Sequence, residues 1–169
     1  KGTPMTAEIE DTLLTGSLAA IGAAFRRREL SIEESTGWFI ARIEALNQSG
    51  PALNAVKDVS THAREDARRL DKELGAGRDR GPLHGIAVLI KDNVFIANEY
   101  TTTAGVTAFK DFIPKTTATL VRRLEAAGAI ILGKTKLTEF ADYVSDVMPA
   151  EFSGAGGVVR NPHGISYGR

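Results

Sequence analysis

Lys91 has the sequence context most typical of a reactive lysine. It directly follows the apolar run Ile86-Ala87-Val88-Leu89-Ile90 and precedes Asp92-Asn93. A continuous apolar run of this length is typical of a strand buried on both faces, so we expect Lys91 to be partly removed from water at the strand's end. Desolvation lowers a lysine pKa, and a neutral amine can act as a general base. Taken alone, a solvated lysine or an ion pair with Asp92 explains the same pattern.

A phosphate-binding loop is a second candidate, since residues Gly128 to Thr135 match G-x-x-x-x-G-K-[ST] letter for letter. The central four positions of that motif wrap a phosphate with backbone N–H groups. Here they are Ala-Ile-Ile-Leu, which favour a buried strand, and a helix is predicted before Gly128. We therefore reject nucleotide binding. Lys134, at the end of the predicted strand, is still placed to line a site of another kind.

Other chemistry-bearing residues carry weaker signals. The chain has no Cys, which excludes disulfides, thiolate nucleophiles and Cys-ligated metals. His84 and His163 lack metal-ligand spacing, and we interpret them as core or loop residues. Ser153 and Ser166 lie near glycines, and we assign them no catalytic role.

Composition narrows the class of protein. The 169 residues carry 21 Lys+Arg against 21 Asp+Glu, and 43% are hydrophobic. This balance is ordinary for one globular domain and argues against a general nucleic-acid binder. No apolar run approaches the roughly 20 residues that span a bilayer, and no signal peptide opens the chain, so we expect a cytoplasmic protein. Residues 1–4 precede Met5, and we interpret them as a vector remnant.

Periodicity predicts helices first and then a strand–helix–strand unit. Helices are expected after Ser17, after the capping box of Ser31 and Glu34, and over the helical repeat from Thr61 to Leu74. Leu53–Val56 is a short strand candidate and 137–144 a short helix candidate. Strands at 86–90 and 129–132, separated by a helix at 116–127 with Leu120 facing inward, predict a crossover and the α/β class.

The block Gly81 to Asn93 resembles the segment around the catalytic lysine of the amidase signature family. Further matches follow in family order over the chain from about residue 18 onward: Ala41–Leu46, Leu53–Val56, Thr116–Gly128 leading into Ile131–Thr135, Thr138–Ala141, and Asn161-Pro162. Each block is weak alone, but in this order together they are specific. Two departures are Ala87, where the family often has Pro, and Lys136, where Asn is common.

The resemblance implies a mixed β-sheet core flanked by helices on both faces, after an N-terminal helical segment. It also implies hydrolysis of linear carboxamides by a Ser–Ser–Lys triad, without metal or cofactor, in which Lys91 is the base. In the family both serines follow the Asn-Pro block. We therefore expect residues 1–169 to be an N-terminal fragment of a single amidase-signature domain, or one half of a nicked chain. We expect this fragment to be inactive alone.

Two alternatives stay open. One is an amidotransferase component that acts on glutaminyl- or asparaginyl-tRNA with partner subunits and ATP. The other is a non-catalytic module, if the gene ends at Arg169. The expected partners are a small amide substrate and the remaining C-terminal part as a second polypeptide, with no nucleic acid and no membrane. A homo-oligomer is compatible with the sequence.

Overall fold

The computed structural model describes residues 5–163, so residues 1–4 and Ser166 lie outside the described residues. The α-helices are α1 (Ala7–Thr15), α2 (Leu18–Arg27), α3 (Ile32–Leu46), α4 (Ala63–Gly75) and α5 (Thr119–Ala126). The strands are β1 (Val56–Val59), β2 (Ala87–Lys91), β3 (Ile130–Thr135), β4 (Phe152–Ser153) and β5 (Gly157–Val158). In this part of the chain, no helix combines the length and apolarity needed to cross a bilayer.

Side-chain caps start the N-terminal helices. Ser17 Oγ accepts from the Ala20 N–H at 3.1 Å at the start of α2. Ser31 and Glu34 form the predicted capping box at the start of α3. Each such cap satisfies a backbone donor that has no partner within the helix. Sequence reasoning missed α1, which Thr6 caps in the same way.

The main sheet has the strand order β1-β3-β2 and is mixed. β2 and β3 run parallel and are joined through α5, which confirms the predicted crossover, whereas β1 is antiparallel to β3. Helices pack on part of each face. Ile130 and Leu132 of β3 pack with α2, α3 and α4, while Ile131 packs with Val121 of α5 on the opposite face.

Three expected elements differ from those observed. β1 begins at Val56 rather than at Leu53, because Asn54 has a left-handed φ of 54° that interrupts an extended chain. In α5, Leu120 is 56% exposed rather than inward-facing, and Val121 fills the core instead. The segment expected to be helical at 137–144 holds only a 3₁₀ turn at Glu139–Asp142 with left-handed residues inside it.

The expectation that β2 is buried on both faces is wrong for the described residues. Ile90 is buried, but Leu89 is 37% exposed and Lys91 is exposed as well. β2 is an edge strand of the three-stranded sheet, and side chains alternate between the faces of a strand. The Ile90 face packs on α5. On the other face Ala87 packs against the cluster of α2, α3 and α4, and the part that carries Leu89 and Lys91 is open.

Two β-bulges interrupt the pairing with β3. Val88 pairs with Ile131 but Leu89 pairs with Gly133, so Leu132 is an extra residue in β3. The register between β1 and β3 also shifts, and Lys57 is the extra residue in β1. A bulge reverses the side-chain alternation beyond it. Lys134 therefore shares a face with Ile90 rather than with Leu132.

We expect Gly133→Ala to destabilise the fold by about 1–3 kcal/mol, the range for overpacking a close-packed site. A Cβ at Gly133 would clash with the backbone oxygen of Asp58, so the bulge and the β1 pairing must shift. Urea denaturation measures the change. The control is Gly75→Ala at the end of α4, where no atom lies within 4 Å of the added Cβ. Equal stability of the two variants would contradict the close approach.

Candidate active site

The carboxyl ends of β2 and β3 meet the start of β1 at one edge of the sheet. Four charged residues gather there, and we refer to them as the lysine–aspartate network: Lys57, Asp58, Asp92 and Lys134. Asp58 pairs in register with Lys134, and Asp92 directly follows β2. The bulges in β1 and β3 turn these side chains toward the same face.

Asp92 is the acceptor at the centre of the network, and its side chain is only 2% exposed. Its Oδ1 accepts from Lys57 Nζ at 2.9 Å and lies 3.7 Å from Lys134 Nζ. Its Oδ2 accepts from both the backbone N–H and the hydroxyl of Thr103. A buried charge is tolerated only when it is paired and hydrogen-bonded, and these four groups meet that requirement.

Lys57 connects β1 with the loop that follows β2. Besides Asp92, its Nζ donates to the carbonyl oxygen and to Oγ1 of Thr101, each at 2.7 Å, and lies 3.3 Å from Asp58 Oδ2. Every donor direction of this ammonium group is therefore used. The arrangement gives Lys57 a structural role, because its contacts hold β1 against the loop after β2.

Lys134 is fully buried. Its Nζ donates to the carbonyl oxygen of Val94 and lies 3.3 Å from Thr102 Oγ1. Burial lowers the pKa of Lys134 from 10.5 to about 8, against the opposing attraction of Asp92. The desolvated lysine that we expected at Lys91 thus occurs one strand away.

The strand of Lys134 lies inside the phosphate-loop motif. Ile130–Thr135 is strand β3, so the motif's residues from Ile130 onward are extended in the sheet instead of wrapping around an anion. Gly128 follows α5 with a φ of 86°, the left-handed conformation that is common for the residue after a helix end. These observations agree with the rejection of nucleotide binding.

Lys136 holds the β4–β5 hairpin against the sheet. Its Nζ donates to Asn54 Oδ1 and, at 2.8 Å, to the carbonyl oxygen of Gly156. Asn54 Nδ2 donates to the carbonyl oxygens of Gly156 and Val158 at 2.8 and 2.9 Å. Burial lowers the pKa of Lys136. The lysine that replaces the family's common Asn is thereby engaged in a contact between elements.

Lys91 differs from the three lysines around it. Its side chain is exposed, and among residues 5–163 its Nζ forms no hydrogen bond or ion pair. Its backbone, in contrast, is held in the sheet opposite Thr135. The structure therefore does not bury Lys91, but it presents a free amine on a fixed strand end.

The remaining candidates have structural partners. His84 is buried, and its Nδ1 accepts from the Arg80 N–H at 3.1 Å while Nε2 lies 3.0 Å from the Leu70 carbonyl oxygen. That geometry favours a neutral, core histidine. Ser153 is also buried and donates to the Gly105 carbonyl oxygen at 3.1 Å, whereas His163 is exposed. Residues 5–163 contain no cluster of three or more potential metal-ligating side chains.

Sequence reasoning missed two of the four residues of the lysine–aspartate network. It named Lys134 and Asp92 as residues near a site, but not Lys57 and Asp58. Both lie in a short strand whose start was placed three residues too early. The available signal was the pair of adjacent charges in an otherwise apolar strand, because buried charges require partners.

Comparisons of the sequence and of the fold with known proteins point to the same family. The family model described as Amidase matches residues 34–167. A glutamyl-tRNA(Gln) amidotransferase subunit of Bdellovibrio bacteriovorus is 36% identical over 150 residues, which cover 89% of this chain and 29% of the relative.

Two solved structures share the fold at similar identity. Native peptide amidase from Stenotrophomonas maltophilia has a TM-score of 0.83 and 40% identity, over 88% of this chain and 30% of that protein. An amidase family protein from Bacillus anthracis has a TM-score of 0.85 and 36% identity, over 93% of this chain and 31% of that protein. The chain therefore spans about 30% of the length of these proteins.

We expect the stability of the protein to depend on Lys134 in mildly alkaline solution. Unfolding restores the ordinary lysine pKa of 10.5, whereas the folded value is about 8. Between these values the unfolded state binds more protons, so this group makes the free energy of unfolding rise with pH, by about 3 kcal/mol over the full interval. Below about pH 8 the lysine is protonated in both states, and its cost to folding is constant.

Urea denaturation at several pH values from about 7.5 to about 9.5 measures this rise. Lys134→Met removes it, whereas the exposed Lys72→Met on α4 retains it. The range stops at about pH 9.5 because of Tyr100, whose pKa is raised by burial. Above about pH 10 this tyrosine ionises in the unfolded state but not in the folded state, so the free energy of unfolding falls with pH. Parallel curves for the wild type and Lys134→Met would show that Lys134 does not titrate in this interval.

Proposed function

This chain belongs to the amidase family, and from that premise we propose that its protein hydrolyses a linear carboxamide, with Lys91 as the general base. The products are a carboxylate and ammonia or an amine. The proposal concerns the whole protein. Its relatives are about three times as long as this chain.

The observation that carries the proposal is the unequal engagement of four lysines at one edge of the sheet. Lys57, Lys134 and Lys136 each donate to protein oxygen atoms. Lys91 alone among these four has no such partner within residues 5–163. A general base needs a free lone pair and access to the reacting group, and a tightly hydrogen-bonded ammonium group offers neither.

The proposed mechanism uses the triad that the family resemblance implies. The neutral amine of Lys91 accepts a proton from a bridging serine, which accepts the proton of the nucleophilic serine. The nucleophilic oxygen attacks the amide carbon, and the C–N bond breaks as the proton passes to the leaving nitrogen. Water then hydrolyses the acyl-serine ester. We assign both serines to sequence beyond the Asn161-Pro162 block.

The open face of β2 supports this assignment. Leu89 and Lys91 point to the side of the sheet that the described helices leave uncovered. An amide and the serine hydroxyls must approach Lys91 from that side, because the opposite face is filled by α5 and the lysine–aspartate network. Covering this face would also remove water from the amine, and a desolvated lysine is a stronger candidate base.

An amidotransferase role is the second candidate, favoured by the similarity to the Bdellovibrio bacteriovorus glutamyl-tRNA(Gln) amidotransferase. Such a protein would release ammonia from an amide donor and pass it to a carboxylate activated with ATP in a complex. Affinity purification from the native source separates the two functions. Hydrolysis of simple amides by the isolated protein favours the amidase. Stable co-purifying subunits, together with amide transfer to aminoacyl-tRNA that requires ATP, favour the amidotransferase.

We expect Lys91→Met in the full-length protein to lower kcat for amide hydrolysis by about 10²- to 10⁴-fold, the usual contribution of a general base. Release of ammonia from a panel of simple amides measures the effect. The control is Lys110→Met, since Lys110 has a side chain that is 68% exposed. A Lys91→Met protein with activity within about threefold of the wild type would refute the proposed role.

We also predict that the purified 169-residue polypeptide has no amidase activity, because the proposed mechanism takes both serines from later sequence. The same amide panel tests this directly. Turnover by this polypeptide that disappears in its Lys91→Ala variant would contradict the prediction. Such a result would also require a nucleophile among the serines of this chain.

A further inference from the structure

Asp92, the residue directly after β2, forms hydrogen bonds through both its backbone and its side chain. Its backbone N–H donates to the Thr135 carbonyl oxygen at 3.0 Å, and its own carbonyl oxygen accepts from the Ala104 N–H at 3.1 Å. Its carboxylate binds Lys57 and Thr103 and faces Lys134. The residue directly after Lys91 is therefore fixed from the backbone and from the side chain at once.

The segment that Asp92 holds is a sharp turn with two left-handed residues, which is unfavourable for Ala104 and readily adopted by Gly105. Ala104 has a φ of 48° and Gly105 a φ of 78°. A left-handed φ at a residue with a Cβ costs free energy and persists only when surrounding contacts impose it. Three of those contacts come from Asp92, through Thr103 N–H, Thr103 Oγ1 and the Ala104 N–H.

The same turn connects Asp92 with later parts of the chain. The Gly105 carbonyl oxygen accepts from Ser153 Oγ at 3.1 Å and from the Ala155 N–H at 3.0 Å. The Ala104 carbonyl oxygen accepts from the Phe140 N–H at 2.9 Å. The β2 end, the turn and the β4–β5 hairpin thus form one hydrogen-bonded unit, and Asp92 is the link between its first two members.

We propose that Asp92 is a positioning residue, whose carboxylate fixes the strand end that carries Lys91 against the turn of Thr101–Gly105. This proposal rests on the proposed function, because it takes Lys91 as the general base. Asp92 does not touch the substrate in this role. Its effect is to hold the backbone from which the Lys91 amine must reach a serine hydroxyl, and small displacements in such a geometry are costly.

Two substitutions in the full-length protein test the proposal. Asp92→Asn keeps the shape and an acceptor oxygen but removes the charge that Lys57 and Lys134 face. Thr103→Val removes the hydroxyl that donates to Asp92 and that also accepts from the Gly105 N–H at 3.0 Å. We expect both to lower kcat by about 10- to 100-fold with a smaller change in KM. We also expect faster amide hydrogen exchange over residues 101–105.

Asp71→Asn is the matched control for lost stability. Asp71 accepts from the Ile32 and Glu33 N–H groups at 2.8 and 2.9 Å, so it too is a hydrogen-bonded carboxylate, but the groups it binds lie at the start of α3. We expect a lower Tm with kcat unchanged. If Asp92→Asn does not fold, Thr103→Val decides the question by kcat and by exchange at residues 101–104, because Gly105 loses its own hydrogen bond to the Thr103 hydroxyl in that variant.

The outcomes separate this proposal from the proposed function. A fall in kcat no larger than in Asp71→Asn, or unchanged exchange at residues 101–105, would overturn the positioning role of Asp92. Full activity of Lys91→Met would instead overturn the base role of Lys91, while faster exchange in Asp92→Asn would still show that Asp92 holds the turn. Loss of kcat together with faster exchange supports the positioning role of Asp92, and the base role of Lys91 is decided by Lys91→Met.

Discussion

A single buried carboxylate, that of Asp92, determines how this edge of the sheet is built. The carboxylate has four neighbouring groups that donate or carry positive charge, and it is almost removed from water. Removing a carboxylate from water costs several kcal/mol unless such partners are supplied. Lys57 and Lys134 provide charge and Thr103 provides directed hydrogen bonds, so β1, β3 and the loop after β2 must all converge at this position.

That convergence depends on the two bulges in the sheet. Strict alternation would place Lys134 on the face of Leu132, among the apolar side chains of α2, α3 and α4. The extra residue in β3 moves Lys134 to the face of Ile90, where Val94 and Asp92 meet it. Gly133 permits this arrangement because the Asp58 carbonyl oxygen occupies the space of a side chain. Backbone irregularity in two strands thus allows charged groups to be paired within an apolar layer.

Local signals in the sequence predicted the local structure well. The caps at Ser17 and Ser31, the helical repeat of α4 and the β2–α5–β3 crossover follow from patterns within a few residues. Register and exposure depend on distant residues instead. No pattern near Lys57 indicates a bulge, and the apolar composition of β2 does not reveal that it is an edge strand whose Leu89 face is open. The burial of Lys134 and the exposure of Lys91 therefore could not be predicted from the residues of each segment alone.

The contrast between Lys91 and Lys134 agrees with the different chemistry that the proposed function requires of each. A lysine that holds a structure should be saturated with acceptors, and Lys134 meets that condition through Val94, Thr102 and Asp92 even though burial makes its charge costly. A lysine that transfers protons must change partners during the reaction, and permanent ion pairs would hold it in the charged state. Placing Asp92 next in sequence to Lys91, but directing its carboxylate to the opposite face, gives the strand end a rigid anchor without binding the amine itself. Because β2 ends at Lys91 and Asp92 begins the turn, adjacent residues are free to face in different directions and to take separate tasks in the proposed function.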